Sequence, residues 1–136
     1  MPTPGDGPVR LDGVHVLAVD DHADTALLVQ VLLEEAGAVV STATSAREAF
    51  GLLQRERPAV LISDISMPAE DGFWLITQVR SLSRAKGGET PAAALTSLTT
   101  AEDRARILRA GFQGHIPKPV DPTQLVAIVA VLAIKE

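Results

Sequence analysis

The chain has no cysteine, which excludes a disulfide framework and a thiolate metal site. Aromatic residues are scarce, 3% of a composition that is 46% hydrophobic. The core must therefore be Ala, Val, Leu and Ile, the usual filling between helices and a sheet. No apolar run approaches the ~20 residues of a membrane span. Positive charge is also lacking. The formal net charge is -5, and no Lys/Arg cluster offers a nucleic-acid surface. Internal repeats are absent, and the N-terminus has no apolar signal core. Its Pro and Gly content reads as a flexible leader or linker stub over residues 1–12. The 136 residues suit one domain over 13–136, able to bury roughly 70% of its unfolded surface.

What is present is an alternation. Val14-His15-Val16-Leu17-Ala18-Val19 is nearly continuous apolar, as in a central parallel strand, and ends in Asp20-Asp21-His22. A helix is predicted over 23–36, stopped by Gly37, then a β-branched strand over 39–43. Ser45 with Glu48 forms a capping box for a helix to about Arg55, closed by Pro58. A strand over 59–63 delivers Asp64, followed by the loop signals Pro68 and Asp71-Gly72. A helix over 73–83 carries Trp74 as a packing residue, and residues 84–90 read as a flexible, exposed loop. A short strand of small residues over 91–96 ends in Thr96. Thr99 with Glu102 caps a helix to about Ala110. A last strand, 114–117, runs into Lys118-Pro119, and Asp121-Pro122 opens the final helix. Five strand–helix repeats imply an α/β fold, the flavodoxin-like doubly wound five-stranded parallel sheet in order 2-1-3-4-5, with helices on both faces.

In that topology Asp20, Asp21, Asp64, Thr96 and Lys118 share the carboxyl edge of the sheet, where open α/β sheets bind ligands. Each residue alone has a bland explanation in turn chemistry or solvation; their coincidence on one edge does not. Three crowded carboxylates raise one another's pKa unless a cation sits among them. A hard divalent cation with carboxylate, water and phosphoryl ligands fits the Mg2+ pattern. Lys118 offers a point charge and Thr96 a neutral hydrogen bond to phosphate oxygens. Asp64 is left as the nucleophile for an aspartyl phosphate.

With Asp20-Asp21, Asp64-Ile65-Ser66-Met67-Pro68, Asp71-Gly72, Ala94-Leu95-Thr96-Ser97 and Lys118-Pro119, the chain resembles a response-regulator receiver domain of two-component signalling from about Val14 to Ala133. The resemblance implies that Asp64 accepts phosphate from a phosphohistidine on a sensor histidine kinase or a histidine phosphotransfer protein. It implies Mg2+ held by Asp21, Asp64 and the Ile65 backbone carbonyl, and by Asp20 through water. It makes Thr96 the switch hydroxyl, places Lys118 on the phosphoryl group and makes the Lys118–Pro119 bond cis. Such a domain is a signalling phosphoacceptor rather than an enzyme, one that promotes its own phosphorylation and dephosphorylation.

Three features depart from the family pattern. His115 stands where receivers usually carry Phe or Tyr as the partner of the Thr96 switch. Glu70 replaces a residue that is often apolar. Ser66 and Leu98 occupy positions that tune dephosphorylation. No effector domain is expected after the last helix. Output then runs through a protein surface or onward phosphotransfer, with neither nucleic-acid nor membrane contact, and a weak dimer is compatible. The stretch 87–91, residues 110–115 and Lys118-Pro119-Val120-Asp121 resemble receivers of hybrid sensor histidine kinases. A stand-alone regulator is the other form, and either is cytoplasmic. Rival readings are a degenerate receiver acting only as an interaction module, a haloacid-dehalogenase-type phosphatase, and a flavodoxin. The phosphatase would want an acid at Ser66. The flavodoxin would want a hydroxyl-rich loop where Asp20-Asp21 stands.

Overall fold

A computed structural model describes residues 9–97 and 100–134. Among these, five strands alternate with five α-helices. They are β1 (His15–Val19), α1 (Ala23–Glu35), β2 (Val39–Ala43), α2 (Ala46–Glu56), β3 (Val60–Asp64), α3 (Gly72–Arg80), β4 (Ala92–Thr96), α4 (Ala101–Ala110), β5 (Gly114–Pro117) and α5 (Pro122–Ala133). Every strand pair is parallel and the order is β2-β1-β3-β4-β5. The doubly wound sheet read from the sequence is therefore the observed one.

Strand side chains alternate between the two faces, and the core divides accordingly. Leu17, Val19, Leu61, Ala92 and Ala94 pack with Leu53 of α2, Leu75, Ile76 and Val79 of α3, and Ile107 of α4. Val16, Ala18, Ile62, Ala93, Leu95 and Ile116 pack with Val29 and Leu33 of α1 and Leu125 and Val129 of α5. The Ala92-Ala93-Ala94 run lets both helical layers approach the sheet closely. Trp74 is a packing residue as expected: its ring meets Phe50 edge-on at 6.2 Å, and the Arg47 guanidinium lies 5.2 Å from its centroid.

The caps set the helix starts. Ser45 accepts the Glu48 N–H, and Glu48 returns to the Thr44 N–H, satisfying two donors at the first turn of α2. Asp121 accepts from Thr123 N–H ahead of α5, whose first residue is Pro122.

Several expectations shift. The cap of α4 is Thr100, which accepts the Asp103 N–H at 3.0 Å and donates its hydroxyl to the Asp103 carboxylate at 2.7 Å. The expected cap Thr99, like Leu98, lies outside the described residues. The segment 84–90 is not a loose loop. Residues Arg84–Lys86 form a 3-10 turn, and Gly88 and Thr90 are buried. The cause is Arg80, which donates to the Gly88 and Thr90 carbonyls at 3.0 and 2.8 Å. The same guanidinium donates twice to Gly111 O, at 3.0 and 2.8 Å, so one side chain joins the end of α3 to both neighbouring connections. Arg10 and Leu11, expected in the leader, are tied to the domain. Leu11 belongs to the core, its N–H bonds Ala36 O at 2.7 Å, and Arg10 donates to Glu35 O.

Candidate functional site

Four of the expected site residues arrive on three adjacent strands. Asp20 and Asp21 follow β1, Asp64 is the last residue of β3, and Thr96 is the last of β4. Asp64 pairs in register with Leu95, so Thr96 stands one residue further along the next strand. Lys118 follows β5, its N–H donating to Thr96 O at 2.9 Å. The Lys118–Pro119 peptide is cis, as the resemblance implies.

The Lys118 ammonium reaches back over the edge. Its Nζ lies 3.2 Å from Asp20 Oδ2 and 3.3 Å from Asp64 Oδ1. Asp20 is 1% exposed and Asp64 3%. Donor atoms of Asp20, Asp21, His22 and Asp64 all lie within 4.8 Å of one another. The cluster thus sets three carboxylates against one ammonium. Asp20 Oδ2, Asp21 Oδ1 and Asp64 Oδ2 are buried without a hydrogen bond. Lys118 and His22 stand near the first two at ion-pair distance only. Buried polar atoms are normally satisfied, so these oxygens face a place for a positive ligand.

Burial pushes the Asp64 carboxyl above its ordinary range, and the Asp20 charge pushes it further. The Lys118 charge and the Ser66 N–H, 3.2 Å from Asp64 Oδ1, pull the other way. Glu70, by contrast, is held low by its hydrogen bond from Arg47. It joins the start of α2 to the loop after β3, outside the carboxylate cluster.

The turn after Asp64 depends on Gly72. A Cβ there would lie 2.4 Å from Asp64 O and 2.9 Å from Ile65 Cα. Only glycine lets α3 begin against the back of the Asp64 strand. Asp71 caps that helix, accepting the Trp74 N–H at 2.9 Å. The Asp71-Gly72 pair is therefore turn chemistry with a cap. The Gly72 N–H donates to the Ile65 carbonyl at 3.0 Å. That bond occupies one of the two lone pairs of the carbonyl oxygen.

His115 lies on β5 beside Ala94, half-buried, and lines a groove of about 460 Å3 with Gln124, Ile128 and Val131 of α5. Ser66 is exposed beside Asp64. Sequence pattern assigns no role to one member of the cluster. His22 belonged to the acidic motif in sequence, but only the turn into α1 places its ring against both carboxylates, with Nδ1 at 3.2 Å from Asp20 Oδ1 and 3.3 Å from Asp21 Oδ1.

The comparisons agree with this geometry. Residues 16–130 match the response regulator receiver domain family. An uncharacterised 14.6 kDa protein of Leptolyngbya boryana is 48% identical over 114 residues, covering 84% of this chain and 86% of its own length. Hybrid signal transduction histidine kinase D of Dictyostelium discoideum is 30% identical over 121 residues, covering 85% of this chain but 8% of its own length. A putative response regulator from Chloroflexus aurantiacus superposes with a TM-score of 0.84 at 28% identity, over 91% of this chain and 100% of that one. The chain spans most of the first relative and a small fraction of the second. A carboxylate edge built on β1 and β3, a lysine from β5 and a family match across the whole sheet lead to one assignment: this chain belongs to the response regulator receiver domains of two-component signalling.

Proposed function

We propose that the domain is the phosphoacceptor of a two-component phosphorelay, taking a phosphoryl group from a phosphohistidine onto Asp64. The observation that carries this reading is Asp64 Oδ2, a buried carboxylate oxygen without a hydrogen bond in a cluster where three acids face one ammonium. The donor set is all oxygen apart from His22, which suits Mg2+ held by Asp21 and Asp64, with Asp20 acting through water. When bound, the cation neutralises the acids and screens the incoming phosphoryl oxygens.

The protein's own groups do the rest. Asp64 must attack as its anion, and Lys118 with the Ser66 N–H favours that form against burial and Asp20. An Asp64 oxygen forms the bond to phosphorus as the P–N bond breaks, and the imidazole leaves with the electron pair. Lys118 then pairs with a phosphoryl oxygen, and the Thr96 hydroxyl donates to another. Phosphorylation of Asp64 puts new charge beside Thr96 and Lys118, at the ends of β4 and β5, and shifts a pre-existing equilibrium of α4, β5 and α5, with Thr96 and His115 as the switch pair.

The donor is a sensor histidine kinase or a histidine phosphotransfer protein. Docking uses α1, which starts beside the acidic edge. Its Leu27, Leu28 and Val31 are exposed apolar side chains at helical spacing. Among the described residues no helix is long and apolar enough to cross a membrane.

Small phosphodonors with Mg2+ test the chemistry. One base-labile phosphoryl group should appear by intact mass on the wild type, and Asp64→Asn should stay unmodified. Modification persisting in that variant would place the nucleophile elsewhere. An unmodified wild type would leave the degenerate interaction module as the reading.

A further inference from the structure

We propose that His22 is a nitrogen ligand of the cation site, so that the site also takes imidazole-preferring divalent cations such as Ni2+, Co2+ and Zn2+. The inference rests on the reading of Asp20, Asp21 and Asp64 as a cation site.

His22 is the N-cap residue of α1, yet its side chain makes no capping hydrogen bond. N-cap side chains usually accept from the first helical N–H groups. This ring turns back instead, and its Nδ1 approaches Asp20 Oδ1 at 3.2 Å and Asp21 Oδ1 at 3.3 Å. The turn that aims it is fixed by the His22 N–H, which donates to Asp20 Oδ1 at 2.9 Å.

Those spacings suit a shared ion. Ligands about 2.1 Å from a metal lie about 3.0 Å apart along an octahedral edge and about 3.4 Å apart in a tetrahedron. The distances from Nδ1 to the two carboxylates fall in that interval. The independent sign of a missing ligand is the buried carboxylate oxygens without hydrogen bonds, Asp64 Oδ2 foremost. Asp64 is 3% exposed, and its donor atom shares the same small volume as the imidazole. The ring itself sits at the rim with its side chain 69% exposed, so it meets the cation from the solvent side without displacing core residues.

Chemistry then separates the metals. Mg2+ prefers oxygen and sheds water reluctantly. Imidazole suits Ni2+, Zn2+ and related ions, which also bind mixed N/O sites more tightly. His22 should therefore add little to Mg2+ affinity and much to that of Ni2+.

The test uses untagged protein, wild type against His22→Asn. Asparagine is a good N-cap, so the substitution retains the helix start. Calorimetry with Mg2+ and with Ni2+ gives the two affinities. Electron spin echo of bound Mn2+ reports directly on coordinated 14N. Nitrogen modulation in the wild type, lost in His22→Asn, with Ni2+ affinity falling at least about tenfold and Mg2+ affinity changing less than about threefold, establishes the ligand. Mn2+ bound without nitrogen modulation, or equal losses for Ni2+ and Mg2+, overturns it while leaving the carboxylate site intact. A wild type that binds none of these cations overturns both.

Discussion

Replacing Asp64 with Asn should make the protein more stable without Mg2+ and less stable with it. The carboxylate is 3% exposed, and burial is the largest cause of its raised pKa. At an effective dielectric of about 20, attraction to Lys118 at 3.3 Å is about 5 kcal/mol, and repulsion from a carboxylate oxygen no more than 4.8 Å away is at least about 3.5 kcal/mol, opposed in sign. The two largely offset, so the desolvation cost decides the balance. An amide of the same shape escapes much of that cost, and the gain is on the order of 1–3 kcal/mol. A cation bound only by the folded wild type adds about 1.4 kcal/mol per tenfold excess over its Kd. The two stabilities should therefore cross within about one to two decades of Mg2+ above Kd. Urea melts at neutral pH in chelator and along a Mg2+ series give both curves. The acid dependence has a definite sign. A raised carboxyl means that the folded state holds its proton up to a higher pH than the unfolded chain does. The Asp64 penalty is fully present above the folded pKa and fades as pH falls toward 3.8. The advantage of Asp64→Asn should shrink over that window. An Asn variant less stable than wild type in chelator, or equal Mg2+ stabilisation of both, would refute the reasoning.

Asp21→Asn should abolish the Mg2+-induced rise in melting temperature, measured by circular dichroism, because it removes a proposed direct ligand. Gly72→Ala should cost about 1–3 kcal/mol in urea melts and slow phosphoryl acceptance, since its Cβ would press on Asp64 O and Ile65 Cα. Arg80→Ala should cost about 2–4 kcal/mol by removing the donor to Gly88, Thr90 and Gly111 carbonyls; hydrogen exchange should rise first at 84–90 and at the end of α4. His115→Tyr should leave phosphorylation largely intact and change its coupling to α4, β5 and α5. Amide NMR with beryllofluoride and Mg2+ checks this, and shifts confined to the loops around Asp21, Asp64 and Lys118 would sink the switch.

The sequence by itself determined the layers, because hydrophobic period and caps are local. Val16 to Val19 and Leu61-Ile62 read as buried strands and are so, and the boxes at Ser45 and Asp121 start helices as written. It also named Asp20, Asp21, Asp64, Thr96 and Lys118, since strand ends in this topology share an edge. It could not say which apolar residues of α1 face outward. Leu27, Leu28 and Val31 continue the same apolar run as the buried Val29 and Leu33, and only the packed sheet selects the inner face. The segment 84–90 looked loose because its partner is Arg80, on a different element, and no local pattern links the two. The hydrogen bond from the Gly72 N–H to the Ile65 carbonyl and the turn of the His22 ring were likewise decided in three dimensions. Hydrogen-bond direction and side-chain aim depend on the chain geometry at Gly72 and at the start of α1, and composition carries no record of either.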